Sequence, residues 1–166
     1  MSKYGELPEE EAKTKIWESA EKIGICMFVT WDGERQRARP VAARPHREEG
    51  ALYVLTDLHG QKDDQIERFP IVTLAFADNS DNTYLSITGH ATVSNDCAKI
   101  KELWSVFDKI FWESPEDPSI RLITVKPDDA EIWDGVGKVR AGLAMAAKLT
   151  TGAELHMGDN AKVDSL

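Results

Sequence analysis

The sequence predicts a small, mostly antiparallel β-barrel with peripheral helices, built from six strands in hairpin order. Three observations carry this prediction. Runs rich in β-branched and aromatic residues recur along the chain, separated by turn signals rather than by long helical patterns. Asp32-Gly33 is a strong hairpin signal between two such runs. Gly89, inside the long run "TYLSITGHATVS", marks a bend or bulge of the kind that curls a sheet toward closure.

The elements follow in order. "PEEEAKTKIWESAEK" reads as an amphipathic helix over about residues 8–22, with Pro8 and three glutamates in its first turn, where the helix dipole favours acids. Ala12, Ile16, Ala20 and Ile23 give it one apolar face. "IGICMFVTW" then reads as a buried strand, and Cys26 within it as a small buried hydrophobe. The returning strand is the arginine-rich "RQRARPVAARPHR", where Pro40 fits an edge, bulge or strand end. "ALYVLTD" is the third strand, so these three runs are expected to form a meander. A short helix, "KDDQIERF", closes at Pro70. "IVTLAFAD" and "TYLSITGHATVS" are the fourth and fifth strands, joined by the turn "NSDN". Asn95 or Asp96 caps a helix "CAKIKELW" that is expected to run on through "SVFDKIFW". There Trp104, Phe107, Phe111 and Trp112 recur at three- and four-residue spacing and read as a face packed on the barrel. "SIRLITVKPDDAEIWDG" is the sixth strand, interrupted at Pro127. "GKVRAGLAMAAKLTTG" has helical composition. Residues 1–150 read as one domain and residues 151–166 as a flexible tail.

Composition bounds the function. The chain has 166 residues, 42% hydrophobic and 30% charged, enough for one domain with a core that needs no staple. Two cysteines give no disulfide framework and suit a reducing cytoplasm. The four histidines show no metal-ligand spacing. No apolar run approaches the roughly 20 residues that span a bilayer, and the N-terminus lacks a signal-peptide core. The net charge of −9 argues against nucleic acid or an anionic membrane as partner. Five arginines nevertheless fall between positions 35 and 47 with no acid among them, which suits either a solvated edge strand or a groove for a small anion.

The hinge "TDLHGQK" between the third strand and the short helix decides between these. A helix starting near Lys62 exposes unpaired N–H groups and the positive end of its dipole. Lys62 adds a full charge, Thr56 a hydroxyl donor, and Gly60 allows close backbone approach. Asp57 serves as a simple cap or a hydrogen-bond acceptor, and His59 reads as a solvated loop residue. Arg39 and Arg44, from the neighbouring strand, offer planar bidentate donors. Together these features point to a phosphorylated ligand. No pair of residues reads as an acid–base dyad or nucleophile triad, which disfavours hydrolysis.

"RARPVAAR", "LYVLTDLHGQK", "FPIVTLAFAD", "YLSITGHATVS" and "PDDAEIWDG" occur in the order and spacing of the pyridoxamine 5′-phosphate oxidase-like flavin-binding split barrels. Over residues 10–135 the chain resembles that family, and its general stress protein branch most closely. The resemblance implies a split β-barrel that binds FMN (ahead of FAD or deazaflavin) in a groove between the subunits of a homodimer. It places Arg39, Pro40 and Val41 along the isoalloxazine, Arg44 at a commonly basic position, and Leu55 and Thr56 along the ring and ribityl chain, with Asp57 beside its hydroxyls. Gln61 and Lys62 are placed at the phosphate, Tyr84 or a neighbour on its strand at a polar contact, and Trp133 against the cofactor, from either subunit. Trp133 also fits a core position. The implied activity passes electrons from NAD(P)H through FMN to a small-molecule acceptor. Alternatives are a flavin-buffering stress protein without turnover, or a split barrel using deazaflavin or haem. Two departures stand out. Gln61 replaces the arginine usual in the oxidases, and their C-terminal Arg-x-His element has no counterpart after Trp133, so pyridoxamine phosphate oxidase activity is not expected.

Overall fold

The computed structural model describes residues 5–57, 62–135, 145, 148–149 and 158–166, with side chains left aside at 5, 6 and 62–64. Helix α1 (Glu9–Ile23) follows Pro8, carries Glu9, Glu10 and Glu11 in its first turn, and ends at Gly24, whose φ of 69° suits glycine. Ala12, Ile16, Trp17 and Ala20 form its buried face. The expected amphipathic helix is present with nearly its predicted bounds.

Nine strands form one sheet among the described residues: β1 (Gly5–Glu6), β2 (Ile25–Trp31), β3 (Gln36–Ala42), β4 (Arg44–His46), β5 (Ala51–Asp57), β6 (Ile71–Asp78), β7 (Thr83–Ser94), β8 (Ile120–Gly135) and β9 (Gly158–Val163). Its main path runs β1-β9-β8-β7-β6-β2-β3, and β5 joins β8 and β4 off that path. All pairings are antiparallel except β1 with β9. The fold is therefore mostly β, a curled antiparallel sheet with a few helices, as the sequence predicts.

Six strands become nine for identifiable reasons. The arginine-rich run breaks at Ala43, whose N–H donates to Gly24 O at 2.8 Å. Its first part pairs with β2 and its second with β5, so the expected meander is split into two ladders. The tail expected to be flexible contributes β9, which pairs with both β8 and β1 and buries Val163. The helix expected over residues 137–152 lies outside the described residues, apart from helical positions at 145, 148 and 149.

The barrel interior is filled from alternate positions: Cys26 and Phe28 of β2, Val72, Leu74 and Phe76 of β6, Leu85 and Ile87 of β7. Burial pushes the Cys26 thiol up to about 12. β5 is buried on both faces. Leu52 and Val54 face the barrel, while Ala51 and Tyr53 pack with Ile100 and Leu103 of helix α3 (Cys97–Leu103) in a second core. Asp96 caps α3, accepting from the N–H groups of Ala98 and Lys99.

β8 is continuous through Pro127, contrary to the expected break, because the ladder absorbs an extra residue there. Thr88 pairs with Asp129, Gly89 with Pro127, and the register shifts between them. Before this bulge Ile123 and Val125 point into the barrel; after it Ala130 and Ile132 do. One inserted residue thus keeps the interior face apolar along the whole strand. Gly89 is required, since a Cβ there would lie 2.8 Å from Pro127 Cα and closer still to Lys126 O.

α3 does not run on through "SVFDKIFW". It stops at Leu103, and a separate 3-10 turn spans Val106–Ile110. Asp108 is the cause: its carboxylate accepts from the Ser105 N–H at 2.8 Å and hydroxyl at 2.7 Å, which opens a new turn instead of continuing the old one.

Candidate functional site

A cleft of about 600 Å³ opens where β3 and β5 diverge. Pro40, Val41, Ala42 and Arg44 line it from β3 and β4, Leu55, Thr56 and Asp57 from the end of β5, and Ile25 from β2. Asp117 and Ser119 border it before β8, and the far wall is Phe107, Asp108, Phe111 and Trp112. Six predicted residues (Pro40, Val41, Arg44, Leu55, Thr56 and Asp57) therefore share one cavity, within the size range of small-molecule sites.

Arg39 sits beside it, on the barrel side of β3. Its Nη2 donates to Thr30 Oγ1 and to Gln65 Oε1, each at 3.2 Å. Thr30 Oγ1 in turn donates to Gln65 Oε1 at 2.8 Å, and both side chains are buried. Burial, and secondarily the charge of Arg37, lowers the Arg39 pKa from its ordinary value. Gln65 belongs to helix α2 (Lys62–Arg68), whose first residue is Lys62. The arginine strand and the hinge helix are thereby linked by side-chain hydrogen bonds. The predicted ligand Gln61 and the hinge residues His59 and Gly60 lie outside the described residues, as does the side chain of Lys62.

Arg44 has a second task. Its Nη2 donates to the carboxylate of the buried Asp108 and its Nη1 to Ala42 O at 3.2 Å. The aromatic wall is thereby fastened to β4. The sequence reading missed this wall: Phe107 and Phe111, read as a packed helix face, are 45% and 62% exposed, while Trp104 and Trp112 pack against the second core. Their three- and four-residue spacing does not distinguish a continuous helix from an extended break followed by a 3-10 turn.

Tyr84 and Trp133 are not in the cleft. They pair with each other across β7 and β8 and are 39% and 36% exposed. Tyr84 donates its hydroxyl to Asn79 Oδ1 at 3.1 Å. Tyr84 also pairs with Ala77, one residue beyond the Phe76–Cys26 pair, so the Tyr84–Trp133 rung lies across the sheet from Ile25 at the cleft edge.

A second group of side chains lies behind β4. Glu49 accepts from Lys99 at 2.7 Å and from the Tyr53 hydroxyl at 2.5 Å, with His46 Nδ1 at 3.2 Å. Lys99 also donates to Glu102 at 2.8 Å. His46, Glu49 and Glu102 come within ligand distance of one another, but the Lys99 ammonium already supplies the positive charge between the two carboxylates.

Residues 11–156 match the family model described as pyridoxamine 5′-phosphate oxidase like. The chain belongs to that family. No curated protein matches it. Solved structures agree on the fold. A structure described as a candidate general stress protein 26 from Jannaschia sp. CCS1 superposes with a TM-score of 0.81 at 20% identity, covering 95% of this chain and 99% of that one. The general stress FMN/FAD binding protein of Xanthomonas citri gives 0.67 at 24% identity, over 75% and 89% of the two chains. A pyridoxamine 5′-phosphate oxidase-related, FMN binding protein from Nostoc punctiforme PCC 73102 gives 0.61 at 17%, over 78% and 86%. The architecture is that of these split barrels. Among the described residues no helix is long and apolar enough to cross a membrane.

Proposed function

We propose that this family member binds FMN in the cleft between β3 and β5, and that the loaded protein moves electrons from NAD(P)H to a small-molecule acceptor in the cytoplasm. The observation that supports this reading most is the convergence of Pro40, Val41, Leu55 and Thr56 on one cavity with two apolar walls. That shape suits a flat ring, and Arg39 stands at its edge, steadied by Gln65. FMN, when bound, supplies reversible one- and two-electron chemistry that no side chain here offers.

The residues then divide the work. Pro40, Val41 and Leu55 orient the ring by contact and keep water from its face. Arg39 supplies positive charge that stabilises added electrons, and Thr56 and Asp57 meet the ribityl hydroxyls. Gln61 and Lys62 hold the phosphate at the start of α2. Tyr84 and Trp133 face outward on the sheet, two and three strands from Ile25, and line no part of their own cleft, so they are assigned to the cofactor of a second copy in a homodimer. Without the oxidases' Arg-x-His element, pyridoxine 5′-phosphate is not expected to be turned over.

The test is titration of FMN, FAD, deazaflavin and riboflavin by fluorescence quenching, with sedimentation to fix the assembly. Lys62→Ala should weaken FMN by at least about fivefold more than riboflavin, since only FMN carries the phosphate. Equal losses would refute the role of Lys62. A yellow protein that binds FMN but oxidises no NAD(P)H with any common acceptor would point to flavin storage instead.

A further inference from the structure

A second groove, of about 570 Å³, adjoins the cleft. Arg44 lines both, and its clasp on Asp108, which lines only the cleft, stands between them. Ile25, Ala42, Ala43 and Leu103 give the groove an apolar lining between β3, β4 and the end of α3. Its polar side chains are of two kinds. The donors are already committed: Arg44 donates to Asp108 and to Ala42 O, and the Ser105 hydroxyl donates to Asp108. The others are His46 of β4 and Glu102 of α3, whose ring nitrogen and carboxylate oxygen come within 4.8 Å of each other.

Both of these are left as acceptors. Lys99 and then Tyr53 hydrogen-bond Glu49 and depress its carboxyl to about 2, so at neutral pH it is ionised and can only accept. Its 3.2 Å hydrogen bond with His46 therefore uses the Nδ1 proton, and the neutral imidazole keeps its lone pair on Nε2. Lys99 also donates to one oxygen of Glu102 at 2.8 Å; the second oxygen has no partner among the described residues. Two adjacent acceptors beside an apolar lining suit a ligand that brings several N–H donors on a hydrophobic body. A primary ammonium has three such donors and a charge that matches the carboxylate. The net charge of −9 also favours the approach of a cation.

We infer that this groove binds a hydrophobic primary amine, with its ammonium between Glu102 and His46 Nε2 and its apolar body along Ile25, Ala43 and Leu103. Glu49 positions the imidazole, and Lys99 holds Glu49 and Glu102 together from behind. The site is separate from the cleft and does not depend on what the cleft holds.

Isothermal titration of the full chain with phenethylamine, phenethyl alcohol and hydrocinnamate tests this, since the three share a phenyl ring and differ at the polar end. The amine should bind at least about tenfold more tightly than the alcohol, and the acid more weakly than either. Glu102→Gln, at a side chain 58% exposed, should lower the affinity for the amine about tenfold and leave that for the alcohol within about twofold. His46→Leu provides a second variant and should weaken the amine about fivefold. Equal affinity for amine and alcohol overturns the inference, as does unchanged amine affinity in both variants. So does displacement of the amine by saturating FMN, which would put it in the cleft. Amine binding undisturbed by FMN supports the separate groove, and a chain that takes the amine but no FMN sinks the cofactor reading alone.

Discussion

Arg39 of β3 and Gln65 of α2 share a hydrogen bond of 3.2 Å, and both reach the hydroxyl of Thr30. A hairpin and a helix 26 residues further on thus meet at one buried polar point beside the cleft. Gln65→Leu keeps the bulk but removes the acceptor. It should cost about 1–3 kcal/mol, because Thr30, 1% exposed, has no ready access to water in its place. FMN affinity should fall as well, through Arg39. Urea unfolding and an FMN titration on the same variant check both effects, and an unchanged midpoint would remove the argument.

Arg44→Met tests the clasp on the aromatic wall. Removing one partner of a buried ion pair leaves the other charge uncompensated, and Asp108 has little exposure to water. A loss of about 3 kcal/mol is expected, at the low end of the usual range because the Arg44 side chain keeps some solvent contact. Comparing denaturant midpoints of the two proteins decides it; a loss below about 1 kcal/mol would mean that the pair contributes little.

The two thiols should behave differently. Cys26 is buried and its thiol is raised to about 12, whereas Cys97 is exposed at the start of α3. At about pH 8 a thiol reagent should therefore label one cysteine quickly in the native protein and both after unfolding. Rapid labelling of Cys26 in the native state would contradict the burial.

Acid should act partly through Glu49. Lys99 and then Tyr53 hydrogen-bond its carboxylate and depress it from 4.5 to about 2. A depressed carboxyl contributes stability that is complete above its unfolded value and disappears as pH falls through the folded one. The stability difference between wild type and Glu49→Gln should accordingly be constant above about pH 5 and shrink between pH 4.5 and 2. Urea midpoints of the two proteins at about pH 6, 4 and 2.5 measure it. A difference independent of pH would show that the carboxylate charge is not what matters.

Local signals were readable. Pro8 and the glutamates start α1, Asp32-Gly33 turns β2 into β3, Gly89 marks the bulge, and Asp96 caps α3. Each is a constraint that acts within a few residues. What escaped depends on partners far away in the chain. "GDNAKV" has the composition of a loop and becomes β9 because the edge of β8 offers it a ladder. "SVFDKIFW" has helical spacing, yet Arg44, 64 residues earlier, draws Asp108 inward and leaves the aromatic rings on the rim. Six predicted site residues met in one cleft because they lie on adjoining strand ends, where a short motif suffices to place them. Tyr84 and Trp133 did not, since they face outward from β7 and β8 rather than into the cleft.

The bulge opposite Gly89 has a consequence for how this chain can vary. Because Asp128 is the extra residue, removing it leaves Val125, Ala130 and Ile132 an even number of positions apart and all still facing the lumen, whereas removing Glu131 turns Ile132 toward water and Trp133 toward the lumen. Length is thus negotiable at the bulge and fixed beyond it. A one-codon deletion at Asp128, half open to solvent, should be tolerated, whereas one at Glu131 should abolish folding.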